Sequence, residues 1–294
     1  MASLRDIRRR IRSVKNTAKI TRAMQMVAAS RMRRAQQRVI AARPYAEAMR
    51  SLISELAGAG GDDIHPLLVQ RPIDTVGVVL LTSDRGLAGA LNTNIIRRAS
   101  QLILEAGSQH KPSSTEKQDV ELITVGRKGQ DFMARRGYKL LGTFTQLGDQ
   151  PGYMDLIGVG RVVMDSYMQG VMDECWLVYP QFVNTLVQRP TAVKLLPIAP
   201  SDGAAKRVDY IYEPNADEIL NELLPRYVEV SIYQAVLETI ASEHSARMVA
   251  MRSATDNANE LVQTLTLTYN KARQATITAE VTEIASAAEA LAAS

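Results

Sequence analysis

Starting at Ile7, steps of alternately four and three residues land on Ile11, Val14, Ala18, Thr21, Gln25, Ala28, Met32, Ala35, Val39, Ala42, Ala46, Met49, Ile53 and Leu56. Only Thr21 and Gln25 in that series are polar. A 3.5-residue period held for seven heptads predicts a coiled-coil helix. A second seam lies at the other end of the chain: Met251, Ala254, Ala258, Leu261, Leu265, Thr268, Ala272, Ala275 and Ala279. Its small residues allow a partner helix to approach closely. The economical pairing joins the two ends of the chain antiparallel; the alternative is a coil between two copies of the chain. Apolar residues also fall off both seams, at Ile20, Met24 and Val27 and at Ile277, Val281, Ile284, Ala288 and Leu291. A two-helix coil uses one stripe per helix, so these extra stripes require a further surface.

Between the two seams the period changes. "TVGVVLLTS" (75–83) is a near-continuous apolar run, the pattern of a strand buried on both faces of a parallel sheet. Helical spacing follows in "NTNIIRRASQLILEAG", then a strand in "VELITVG", a short helix in "RKGQDFMARRG" and a strand in "YKLLGTF". "LIGVGRVVMDSYMQG" reads as a helix, and "CWLVYPQFV", "TAVKLLPI" and "VDYIYEP" as closing strands. Alternating strands and helices indicate right-handed βαβ units in a Rossmann-like layer. "GSQHKPSSTEKQD" (107–119) is a polar surface loop.

Glycine and proline agree with this division. Neither occurs from Met1 to Arg43 or from Arg226 to Ser294. At about 1.5 Å per residue, those stretches reach roughly 65 Å and 100 Å as helices. The expected fold is therefore an α/β protein with an antiparallel coiled coil of terminal helices and a central Rossmann-like α/β domain. The expected divisions are 1–57, 58–215 and 216–294.

Charge sharpens the picture. Residues 1–43 hold 13 arginines and lysines against one acid, Asp6, a net of +12. Of 35 basic and 31 acidic groups in all, 22 and 30 remain for the rest, a net of −8. A basic arm on an acidic body suggests that the arm has a partner. Transit peptides and nucleic-acid-binding arms share that composition. A transit peptide need not continue its heptads to residue 56, and residues 1–43 carry no aromatic side chain to stack on a base. No apolar run nears the roughly 18 residues that span a bilayer. The single cysteine, Cys175, excludes an internal disulfide and a multi-thiolate metal site.

Candidate chemistry is thin. "TSDRGLAGALN" (82–92) joins a strand to a helix and carries Gly86 and Gly89, the context of a phosphate cradle. It matches neither GxGxxG nor GxxxxGK[ST], so a tight structural turn is the simpler reading. "VGRKG" (125–129) is a weaker turn of the same kind. His65, His110 and His244 lie far apart without ligand spacing, and Ser83 lacks a GxSxG elbow. Asp62 and Asp63 sit in a glycine-rich loop and read as solvated surface. No catalytic, metal or cofactor site is expected.

Seven segments resemble the gamma subunits of F-type ATP synthases: "LRDIRRRIRSVKNTAKITRAMQMVAASRMRRAQ", "RPYAEAMR", "SDRGLAGALNTNI", "YIYEP", "LLPRYV", "ASEHSARMVAMRSATDNANE" and "YNKARQATITAEVTEI". The resemblance implies a bacterial-type, non-catalytic rotor subunit whose paired helices turn inside a ring of alternating alpha and beta subunits. Below the ring, the α/β domain would meet the epsilon subunit and the c-subunit ring. Ion flow would turn the c ring, and the asymmetric shaft would drive the beta sites through different nucleotide affinities. The implied contacts with the ring are Ile20, Met24 and Val27 in and beside "KITRAM", and Arg273 and Gln274 in "YNKARQATIT". Tyr210, Tyr212 and Glu213 in "YIYEP" would face the c ring and epsilon. The family's turn usually carries Cys and Gly where this sequence has Ala88 and Ala90, and the regulatory dithiol insertion of chloroplast forms is absent. No cofactor is implied. The implied location is the cytoplasmic face of the bacterial plasma membrane, peripheral, with membrane contact only through the c ring. A basic coiled-coil scaffold or nucleic-acid-binding protein is the alternative reading.

Overall fold

A computed structural model describes residues 3–57, 65–109, 119–198 and 216–292. They form helix α1 (Leu4–Ala57), strand β1 (Thr75–Leu81), α2 (Leu91–Gln109), β2 (Asp119–Val125), α3 (Arg127–Arg135), β3 (Leu140–Phe144), a 3-10 turn (Tyr153–Leu156), α4 (Ile157–Met168), β4 (Glu174–Phe182), β5 (Gln188–Leu196) and α5 (Ala216–Ala292). Two compact units result: Met1–Val27 with Met248–Ser294, and Ala28–Arg247. Both long helices contribute to each unit.

The larger unit is built on a five-stranded sheet of order β3-β2-β1-β4-β5. The first four strands are parallel, and β5 returns antiparallel to β4. Six of the seven β1 residues are buried, as the unbroken apolar run predicts for a central strand. Helices α2 and α3 cover one face, where Val78, Leu80, Ile95, Ala99, Leu122 and Met133 form a core. The other face packs against α4 and the body portions of α1 and α5, through Val163, Tyr167, Met49, Ile53, Leu224 and Val228. Gly77 makes that second face possible: a Cβ there would lie 2.1 Å from Met172 Sδ.

Prolines lie inside both long helices, and one strand starts earlier than the sequence reading. Helix α1 runs through Pro44, which sits on an exposed side of the helix. The carbonyl whose bond it removes can therefore turn to water. Helix α5 likewise passes through Pro225 and starts at Ala216. Strand β5 begins at Gln188, three residues earlier than expected, and contains Pro190. An edge strand accommodates the missing N–H. The expected strand "VDYIYEP" and residues 110–118 of the polar loop lie outside the described residues, as do Asp62, Asp63 and His110.

Candidate functional site

In the smaller unit the two ends of the chain pair as expected. The Thr21 and Thr255 hydroxyls meet at 2.7 Å, both buried, and Arg8 donates to the Tyr269 hydroxyl. The paired residue numbers rise in one helix as they fall in the other, so the helices are antiparallel. Arg8 also stacks over the Tyr269 ring, 5.3 Å from its centroid. Ile7, Ala18 and Thr21 of the α1 seam are buried.

The α5 seam is corrected by one position in alternate steps. Met251, Thr255 and Ala258 are buried, and Val262, Leu265, Tyr269 and Ala272 are half-buried. Leu261, expected on the seam, is 47% exposed, and Thr268 is exposed as well. Apolar residues adjoin each other here, so hydrophobicity alone cannot set the phase. Thr255 reads as a surface residue, yet its hydroxyl is satisfied twice, by Thr21 and by the Met251 carbonyl. From Arg273 to Ala288 every side chain is exposed, Ala275 and Ala279 included.

The extra stripes are real surface in this chain. Ile20 is 60% exposed and Val27 52%, with Met24 half-buried beside them. Ile277, Val281 and Ile284 form an exposed row whose last member is 70% open. Arg273 and Gln274 are exposed on the same stretch of helix. Next to the α1 stripe, Arg8, Arg12, Lys15, Lys19 and Arg22 line a groove of about 520 Å³. Apolar rows beside clustered cations are a poor surface to leave in water. Each aliphatic side chain there stands to gain about 1.5–3 kcal/mol on full burial. Tyr210, Tyr212 and Glu213 lie outside the described residues.

The β1–α2 turn, the other candidate, is filled from within. Thr82 Oγ1 accepts from the Gly129 N–H at 2.8 Å, and Asp84 accepts from the backbone N–H groups of Arg127 and Gln146, both at 3.0 Å. Those donors open α3 and the loop after β3, so the amides at the start of α3 already hold this chain. Ser83 is tied to Asn92, and its hydroxyl donates to the Arg85 carbonyl. Gly126 and Gly129 allow the two turns to touch: a Cβ on Gly126 would lie 2.0 Å from the Thr82 carbonyl oxygen. The structure thus forms the tight strand-to-helix turn.

Sequence reading missed a set of buried polar residues on α5. Glu238, Thr239, Ser242, His244 and Ser245 are all buried, on a helix whose seam lies further towards its C-terminal end. His244 Nε2 lies 3.8 Å from Asp149 Oδ1. Burial is the main cause that lowers its pKa to about 4, opposed by Asp149 and assisted by Arg247, so the ring is neutral near pH 7. Burial likewise raises the Glu243 carboxyl, while its Arg247 partner pulls it down. Arg247 also donates to the Gly86 carbonyl at 3.2 Å, fixing the β1–α2 turn to α5. Cys175 is fully buried, and burial raises its thiol pKa strongly. The described residues contain no metal-binding cluster of His, Cys, Asp or Glu, and no helix among them is long and apolar enough to cross a membrane.

Fold and surface together define a class: α/β proteins that carry an antiparallel pair of terminal helices. The sequence profile described as ATP synthase matches residues 3–291. Among curated relatives, the ATP synthase gamma chain of Roseiflexus sp. (strain RS-1) is 55% identical over 295 residues, covering 99% of each chain. That of Herpetosiphon aurantiacus is 50% identical over 300 residues, again covering 99% of each. Among solved structures, the rotor of Euglena gracilis mitochondrial ATP synthase aligns with a TM-score of 0.67 at 21% identity, over 93% of this chain and 98% of that one. The central stalk and c ring of the Tetrahymena thermophila enzyme gives 0.58 at 25% identity, over 80% and 99%. This chain belongs to the ATP synthase gamma chain family.

Proposed function

We propose that the chain is the central-stalk rotor subunit of an F-type ATP synthase, coupling ion-driven rotation of a c ring to the conformational cycle of the catalytic beta subunits. It has no catalytic role of its own; ATP is made and hydrolysed on beta. The observation that carries this reading is the pair of open apolar rows on the antiparallel helices, in a family whose relatives are ATP synthase gamma chains. Ile20, Met24, Val27, Arg273 and Gln274 meet the ring of alpha and beta subunits. Tyr210, Tyr212 and Glu213 contact the c ring and epsilon. The chain is peripheral on the cytoplasmic face of a bacterial plasma membrane and reaches the membrane only through the c ring.

The surface suits that work. A rotor must break each stator contact at every step, so deep interlocking would stall it. Small and aliphatic side chains give contact that slides, and exposed arginines give ion pairs of modest strength. A cation added at Met24 would over-strengthen one such contact. A complex carrying Met24→Lys is expected to hydrolyse ATP but to pump fewer protons per ATP; an unchanged ratio removes Met24 from the contact. Co-purification tests the whole reading. Chain expressed with alpha and beta should yield a stable complex with ATPase activity, whereas a salt-sensitive complex with nucleic acid would support the alternative.

A further inference from the structure

Apolar packing resists rotation of a helix about its own axis only through the fit of side-chain shapes, since the hydrophobic effect itself is non-directional. Hydrogen bonds are directional and fix that angle. Within the Ala28–Arg247 unit, α5 is bonded on two faces. On one, Glu238, Ser242 and Ser245 recur at helical spacing and grip the β4–β5 hairpin. Glu238 accepts from the Phe182 N–H at 3.2 Å, Ser242 donates to the Pro180 carbonyl at 3.0 Å, and Ser245 to the Thr185 carbonyl at 2.5 Å. On the other, the loop from Thr145 to Tyr153 crosses both long helices. Asp149 pairs with Arg31 of α1 and faces His244 of α5. Gln150 accepts from Arg38 of α1 at 2.8 Å, and the Tyr153 hydroxyl donates to Glu229 of α5.

The buried serines are hard to explain as packing alone. Ser242 and Ser245 are fully buried, where alanine would fill nearly the same space without a polar atom to satisfy. Their bonds go to the hairpin's backbone carbonyls, not back along their own helix. Each therefore ties the rotation angle of α5 to the sheet. The strap then ties α1 to the same angle through Arg31 and Arg38.

We propose that Ser242 and Ser245, with the strap residue Asp149, are positioning residues that lock the rotational angle of both helices within the α/β body, so that torque on the body passes into the helices without slip. This rests on the rotor reading, since the lock matters only if the body is turned. The test uses the assembled alpha–beta–gamma complex with the ring fixed to a surface and a bead attached through Leu104→Cys. Leu104 is 72% exposed, and buried Cys175 does not compete for the reagent.

With Ser242→Ala and Ser245→Ala together, the angular variance of the bead during a catalytic pause should rise, by up to about twofold, the limit for loss of one of two equal parallel ties, since Glu238 still holds the Phe182 N–H on that face. Asp149→Asn, which keeps the shape of the strap, should give a smaller rise. Exchanging the charges, Asp149→Arg with Arg31→Asp, should return the variance towards the parent value, which a merely structural loss would not do. ATP hydrolysis without load should stay at the parent rate. Unchanged variance in assembled complexes of both variants overturns the lock. Should the double alanine variant not assemble, Asp149→Asn and the charge exchange decide alone. A parent bead that never rotates with ATP would instead overturn the rotor reading.

Discussion

The two units of this chain arrange their apolar surface differently. In the body, both faces of the sheet are covered, the strand-end turns bond to one another, and the buried Glu238, Ser242 and Ser245 of α5 bond to the β4–β5 hairpin. In the helical pair, one seam is closed while rows at Ile20 and Val27 and at Ile277, Val281 and Ile284 stand open. The body also exposes apolar side chains, Leu104, Met154 and Leu186 among them, but the two faces of its sheet are covered, whereas the helical pair leaves rows at helical spacing open. Open rows of this kind mark a surface that other chains cover.

That contrast can be broken or sharpened by mutation. The largest expected effect is in the body: Ile95→Ala removes a fully buried side chain and should cost about 2–5 kcal/mol, read by chemical denaturation of the isolated chain. Next comes acid. The folded pKa of His244 lies near 4 against an ordinary 6.5, so the unfolded chain takes up a proton first as pH falls. The stabilising contribution is complete above about pH 6.5 and is lost as pH drops towards 4, amounting to roughly 3 kcal/mol. His244→Gln should flatten that part of the pH profile, measured as denaturation midpoints at pH 7 and pH 5.

Thr21→Val, in the closed seam, should cost about 1 kcal/mol, because Thr255 keeps its bond to Met251. Smallest of all, Ile284→Ala on the open row should leave the isolated chain within about 0.5 kcal/mol of the parent. The same substitution should weaken assembly with alpha and beta, as read by titration of the complex. A large loss of stability in the isolated chain would mean that the row is covered from within.

Much of this was legible from residues alone, and the exceptions have physical causes. The α1 seam was readable because polar arginines flank it on both sides, which sets its phase. In α5, Leu261 adjoins Val262 and Thr268 adjoins Tyr269, so the period was visible but its phase was not. The parallel strands announced themselves by unbroken apolar runs, while β5 concealed its start behind Pro190. The polar set from Glu238 to Arg247 left no sign of its burial, because serine, histidine and glutamate on a helix read as solvent-facing. Only the fold, by bringing the hairpin and the strap against that helix, shows where their hydrogen bonds go. The open apolar rows were the opposite case: visible in sequence as stripes that a two-helix coil could not use, and left open in the structure.

The central claim is that this chain transmits rotation between an ion-driven ring and the catalytic beta subunits. Its most direct test is to add the chain to membranes whose ATP synthase lacks its central-stalk subunit and to follow ATP-driven acidification of the vesicles. The rotor account predicts that the chain restores acidification together with ATPase activity, and that both need alpha and beta. ATPase and proton movement that stay uncoupled, although the chain is bound, would contradict it.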